Sequence, residues 1–190
     1  MSTDEFKKNL KLIASSPIHK IPHPDTLGNL LKKLSPDEIS SVRQKMIARL
    51  LRMKCLKTFR LLGKYYMIAV DGTGHLVYKH RHCPHCLTKT KEGKVIYYYH
   101  NVLEAKIVTE SGLALSVETE FIENTDGATK QDCELKVFYR LVKKLKKKFP
   151  QLKICLLLDS LYAADPVFKI LDGYNWKHII TFKEGSMPDT

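Results

Sequence analysis

Tyr65-Tyr66-Met67-Ile68-Ala69-Val70-Asp71-Gly72 is an apolar run that closes on a carboxylate and a glycine, and Ile154-Cys155-Leu156-Leu157-Leu158-Asp159-Ser160 repeats the pattern. An apolar run of this length, bounded by turn residues, reads as a buried strand. A carboxylate at its end emerges at the sheet rim with its backbone held by the core. If the two strands lie side by side, Asp71 and Asp159 converge on one point. Two carboxylates so placed suit a hard divalent cation such as Mg²⁺ or Mn²⁺, which takes oxygen ligands and keeps waters for a substrate phosphate. Asp is also a common turn residue, so each taken alone is equally consistent with the start of a turn.

Outward from these runs, a weaker strand is expected at about 75–80 and a strong one from Val95 to Val108. After the turn Glu110-Ser111-Gly112, Leu113, Leu115, Val117, Thr119 and Phe121 alternate with Ala114, Ser116, Glu118 and Glu120, the period of a half-buried strand. Glu118 and Glu120 then share the solvent face; paired carboxylates can also run glycoside hydrolysis, but an exposed strand face is the simpler reading. A helix is expected over 130–149, capped by Thr129, with Leu135, Phe138, Leu141, Val142, Leu145 and Phe149 as its apolar stripe. Asp132 and Glu134 fall in its first turns, where negative charge suits the helix dipole, and Arg140, Lys143, Lys144, Lys146, Lys147 and Lys148 crowd its second half. Those cations can equally meet a phosphate backbone. Pro150 ends the helix. Asp165-Pro166 opens another helix to Leu171, and Trp176 to Phe182 reads as a last strand. The fold expected is therefore α/β: a ribonuclease H-like mixed sheet of three antiparallel strands, then helix, strand, helix, strand, with the first and fourth strands adjacent.

Before the first run lies a basic arm. Residues 1–64 carry 14 Lys or Arg against 5 Asp or Glu, whereas residues 65–190 carry 18 against 15. A cationic segment joined to a near-neutral body points to an acidic partner, nucleic acid above all. Three prolines within 15–26 mark an extended connector. A short helix over 27–34 puts Leu27, Leu30, Leu31 and Leu34 on one face. Ser35-Pro36-Asp37-Glu38 is a capping-box start to a longer helix with Ile39, Val42, Met46 and Leu50 at helical spacing. Arg43, Lys45, Arg49 and Arg52 on that helix, with Lys143, Lys144 and Lys147 on the later one, are the candidate DNA contacts. The N-terminus is not a signal peptide, and no apolar run approaches the roughly 18 residues of a membrane span, so a reduced cytoplasmic setting is expected.

His80-Arg81-His82-Cys83-Pro84-His85-Cys86 has the Cys-x-x-Cys spacing that lets two thiolates face one zinc ion, with His82 and His80 in reach of the same loop. The segment is open to three readings: a zinc site, a metal-free loop near the acids, or a redox pair. The last wants a helix after the motif, and a Lys-rich polar loop, Thr88 to Lys94, is expected instead. Cys133 and Cys155 read as small buried residues.

Ala69-Val70-Asp71-Gly72-Thr73, Lys130-Gln131-Asp132-Cys133-Glu134-Leu135-Lys136 and Leu156-Leu157-Leu158-Asp159-Ser160-Leu161-Tyr162-Ala163 together resemble the DDE transposases of the IS4-type insertion-sequence group. The resemblance covers about 60–185, and the 88-residue separation of Asp71 and Asp159 suits that group. It implies metal-dependent cut-and-paste DNA transposition, with Asp71 and Asp159 as the first two catalytic, metal-holding acids. It also implies double-stranded DNA partners (transposon ends and target), a homodimer on DNA, and a prokaryotic, nucleoid-associated location. The family's third acid is a Glu on a late helix. Glu184 is the only Glu after Asp159, and it sits at a strand-to-loop exit, so that role is not carried onto it. The expected organisation is a basic helical arm, 1–60, and a catalytic core, 61–190, that stops before the third acid. The alternatives are a ribonuclease H-like nuclease without transposition and a non-catalytic zinc- and DNA-binding remnant.

Overall fold

The computed structural model describes residues 4–13, 23–123 and 132–182. The expected cap Thr129 and the late acid Glu184 lie outside the described residues. The chain forms two units, Met1–Ile39 and Ser40–Thr190.

The first unit holds helices α1 (Asp4–Ile13) and α2 (Pro24–Leu31) and the opening turn of α3 (Pro36–Arg52). The capping box at Ser35 forms as the sequence predicts: Glu38 N–H donates to Ser35 Oγ at 3.2 Å, and Ser35 N–H donates to a Glu38 carboxylate oxygen at 2.8 Å. Such a cap contributes about 1 kcal/mol. Leu27, Leu30, Leu31 and Leu34 all remain exposed.

The second unit is a mixed sheet with helices. Its strands are β1 (Tyr66–Tyr78), β2 (Leu87–Lys91), β3 (Lys94–Val108), β4 (Ala114–Ile122), β5 (Ile154–Leu158) and β6 (Lys177–Ile180); α4 (Glu134–Lys148) precedes β5, and α5 (Asp165–Gly173) precedes β6. The six strands run in the order β2-β3-β1-β5-β6, and β4 also pairs with β3. β1 is antiparallel to β3 and parallel to β5, and β5 is parallel to β6. The sheet is thus mixed α/β, as expected.

Two expectations about the strands are corrected. The weak strand placed at 75–80 is the far half of β1, which keeps its ladder with β3 as far as Tyr78↔Tyr98 and absorbs an irregularity between Gly74 and Leu76. Gly72-Thr73-Gly74 looks like a turn in sequence, but the long partner strand holds it extended. The polar stretch 88–94 is no loop. β2 turns back into β3 through Glu92 and Gly93, with φ of 51° and 75°. Positive φ at both central residues marks the hairpin turn that suits strand twist. Glu-Gly, unlike Asn-Gly, gives a weak sequence signal for it.

α4 buries Val137, Phe138, Leu141, Val142 and Leu145 completely, in one core cluster with Ile68, Leu103, Ile107, Ile154 and Leu156. Each such burial stabilises by roughly 1.5–3 kcal/mol, so this stripe holds a lysine-rich helix in place where intrinsic propensity alone would not.

The unit that carries the sheet begins at Ser40. From Ser40 onward α3 belongs with the sheet: Ile47 is buried in the core, and the Arg43 guanidinium donates to Ser116 Oγ at 3.1 Å and Thr119 Oγ1 at 2.6 Å. The exposed face assigned to Glu118 and Glu120 is also corrected. Glu118 is 1% exposed and pairs with Arg43 at 3.2 Å and Lys148 at 2.7 Å. Glu120 pairs with Lys144 at 2.6 Å and Arg140 at 3.4 Å. Arg140, Lys144 and Lys148 recur every fourth residue along α4 and so form one rail on its surface, facing the two glutamates of β4. Alternation reveals which residues share a strand face, not which face a helix will cover.

Candidate functional site

The acids are set by strand register. β1 and β5 pair in parallel as Tyr66↔Ile154, Met67↔Cys155, Ile68↔Leu156 and Ala69↔Leu157, an offset of 88 at every pair. The same offset separates Asp71 from Asp159, each two residues past the last paired rung Ala69↔Leu157, with Asp159 just beyond the end of β5. β5 ends at Leu158 while β1 runs on to Tyr78 against β3. Asp71 therefore lies at the step where its parallel neighbour stops, not at the end of its own strand as the sequence suggested. Both aspartates are exposed. Asp159 also starts a turn: its Oδ1 accepts the Leu161 N–H at 2.9 Å, which fixes the side chain.

Sequence reasoning missed a third carboxylate at this step. Glu134 is the first residue of α4, the helix that leads from β4 into β5. A Cβ at position 72 would strike the Glu134 carboxylate, so the glycine beside Asp71 is what admits this side chain. Burial raises the Glu134 pKa above the ordinary carboxylate range, and the charges of Asp159 and Asp71 raise it further. Tyr162, in the 3₁₀ turn Ser160–Tyr162, lies near enough to feel the charge of all three acids. It is buried, its hydroxyl has no hydrogen-bond partner among the described residues, and its pKa is pushed up by burial and then by Glu134, Asp159 and Asp71. A glutamate at a helix N-terminus is already explained by the helix dipole. The available clue was Gly72, an undecorated position next to a candidate metal ligand.

Three oxygen-bearing side chains around a glycine, one of them with its ionised form disfavoured, suit a hard cation, whose charge would relieve that repulsion. The acids feel one another's charge without their oxygens converging on a point. His82, Cys83 and His100, by contrast, bring their ligating atoms within 4.8 Å of one another.

That second cluster lies along the same two strands. Cys83 and Cys86 sit between β1 and β2, and His100 lies on β3, paired with Leu76 of β1. The Sγ atoms of Cys83 and Cys86 are 3.6 Å apart, and His100 Nε2 is 3.4 Å from the first and 3.3 Å from the second. None of the cysteines is in a disulfide. His82 joins the cluster, whereas His80 does not and His85 faces Glu123 at 3.6 Å. His100 was not singled out in sequence, because it stands inside a strand rather than near the Cys-x-x-Cys pair.

The basic residues divide by what they touch. Arg43 is committed to β4, and Lys144 to Glu120. Lys45, Arg49 and Arg52 on α3, and Lys143 and Lys147 on α4, are exposed.

No protein-family model matches the chain, and no curated protein matches it significantly. A cryo-EM structure of the piggyBac transposase synaptic complex with hairpin DNA is similar at a TM-score of 0.39 and 16% sequence identity, over 66% of this chain. The chain spans 25% of the length of that transposase.

Proposed function

We propose that this chain carries the catalytic core of a DDE-type DNA transposase, built on a ribonuclease H-like fold. The observation that supports the reading is that Asp71 and Asp159, each two residues past the paired rungs of β1 and β5, both act electrostatically on Glu134. Under this reading Asp71, Asp159 and Glu134 would hold Mg²⁺ or Mn²⁺, which when bound supplies Lewis-acid polarisation of phosphate and a nucleophilic water at neutral pH. The chain's own groups then have separate tasks. Asp159, held by the Leu161 N–H, and Asp71, carried on a strand, are fixed points that orient the scissile phosphate. Glu134, whose ionised form burial and then the charges of Asp159 and Asp71 disfavour, is the acid of the three whose repulsion a bound cation would relieve most. Water attacks phosphorus, the P–O bond to the leaving strand breaks, and the freed 3′ hydroxyl can attack a second phosphodiester. The exposed cations of α3 and α4 would follow the DNA backbone, with transposon ends and target as the double-stranded partners.

The test is calorimetric titration with Mn²⁺ together with nicking of a labelled duplex. Asp71→Asn and Asp159→Asn are each expected to abolish saturable Mn²⁺ binding, and Glu134→Gln to weaken it while removing any nicking. Unchanged Mn²⁺ affinity in both aspartate variants would sink the proposal. Joining of a 3′-hydroxyl oligonucleotide to a second duplex separates a transposase from the runner-up, a ribonuclease H-like nuclease that cuts without transfer.

A further inference from the structure

We infer that His82, Cys83, Cys86 and His100 form a closed Cys₂His₂ zinc site that ties the segment between β1 and β2 to the face of β3. Zinc in structural sites is tetrahedral, with Zn–S of about 2.3 Å and Zn–N of about 2.0–2.1 Å, which sets ligand atoms roughly 3.3–3.8 Å apart. The three separations among Cys83, Cys86 and His100 are 3.6, 3.4 and 3.3 Å. His82 is exposed, and its ligating nitrogen lies within 4.8 Å of those of Cys83 and His100, which makes it the fourth ligand. A disulfide between the two cysteines would need the sulfurs at about 2.05 Å. An imidazole nitrogen facing both sulfurs is instead the arrangement of a shared ion. Two soft thiolates with two imidazoles select zinc over the hard cations that suit the acids.

The surroundings fit a closed site. Cys86 is 2% exposed and Leu87 beside it is 1% exposed. Tyr78, the last residue of β1, stacks on His82 at 4.7 Å and 8° and meets His100 edge-on at 6.3 Å, so one ring orients both imidazoles. The Arg81 guanidinium donates to the carbonyls of Cys83 at 3.3 Å and Pro84 at 3.0 Å, which shapes the loop around the sulfurs. On binding, both thiols lose their protons to solvent and the four-ligand site becomes neutral overall. The role is structural: all four positions are filled by protein, with none left open for substrate.

The inference is independent of the acid site. Protein purified without chelator should carry about one zinc per chain by elemental analysis, and Co²⁺ exchanged into it should show tetrahedral d–d bands with thiolate charge transfer. Cys83→Ser, Cys86→Ser and His100→Ala should each weaken zinc affinity at least tenfold in competition with a chromophoric chelator. His80→Ala and Cys133→Ser should leave it unchanged. If a ligand variant fails to fold, stripping and reloading the parent chain decides the matter: uptake of one zinc with release of protons is expected. A parent chain that takes up no zinc at micromolar concentration, or an affinity that falls in His80→Ala and holds in His100→Ala, would overturn the assignment.

Discussion

At the residue scale the acids differ in what their charge does to stability. Glu134 has a raised pKa in the folded chain, from burial first and from Asp159 and Asp71 second. It therefore binds its proton more tightly folded than unfolded. The stability this confers is full below the unfolded pKa, about 4.3, and is lost as pH rises through the folded value. In metal-free buffer at pH 7, Glu134→Gln is expected to melt higher than the parent, with the gap closing as pH falls to about 4. Added Mg²⁺ should raise the parent's Tm more than the variant's; the opposite ranking in a thermal melt would contradict the shared site. Tyr162 gives a second residue-level prediction. Its buried hydroxyl lacks a partner among the described residues, a condition that costs about 1–3 kcal/mol. Tyr162→Phe should be neutral or stabilising by up to about 1 kcal/mol in urea unfolding without metal. Asp71 and Asp159 were legible because an acid closing an apolar run is a one-dimensional pattern. Glu134 and His100 were not, because each owes its place to a meeting of distant segments: a glycine on β1 in one case, a cysteine loop in the other.

At the scale of elements, the most consequential pairing is between α4 and β4. Glu118 is buried with Arg43 of α3 on one side and Lys148 of α4 on the other, so one carboxylate joins three elements. Removing Arg43 leaves Glu118 with Lys148 as its remaining cation, so Arg43→Ala is expected to cost less than the roughly 3–5 kcal/mol of a fully uncompensated buried charge, about 1–3 kcal/mol by denaturant unfolding. An Arg43→Met, Glu118→Leu, Lys148→Met triple variant should recover most of that loss, since apolar replacement of a whole buried ion cluster is often neutral. A small loss in Arg43→Ala would instead mark the ion pair as incidental. The period of two in β4 and the apolar stripe of α4 were both readable from sequence. Their mutual orientation was not: a four-residue row of cations looks identical whether it faces solvent or a row of glutamates.

For the whole molecule, the distribution of charge alters the expected interface with DNA. Residues 1–39 hold 6 Lys or Arg against 5 Asp or Glu, while residues 40–64 hold 8 and no acid. The cationic surplus thus belongs to the unit that carries the sheet, not to the first 39 residues. Removing residues 1–39 is expected to leave the salt dependence of duplex binding nearly unchanged. Replacing Lys45, Arg49 and Arg52 by Ala should flatten it by about 0.9 in log–log slope for each phosphate that is no longer neutralised. Filter binding or fluorescence anisotropy across a salt series checks both, and a slope carried by residues 1–39 would return the interface to the N-terminal helices. The α/β class and the adjacency of the two acidic strands were legible in the alternation of elements; the division at Ile39/Ser40 was not, because α3 is one uninterrupted helix across it. The parallel register has a further consequence, for chain length. Five steps separate Tyr66 from Asp71, and five separate Ile154 from Asp159. The acids therefore keep that spacing whatever is inserted between the two strands, and the loop 109–113 or the connection 123–133 can lengthen without moving them. A single deletion inside either five-step count shifts one acid by a residue and turns it to the opposite face of the sheet. Length variation should be tolerated in those two connections and forbidden within the two six-residue stretches that set the acids.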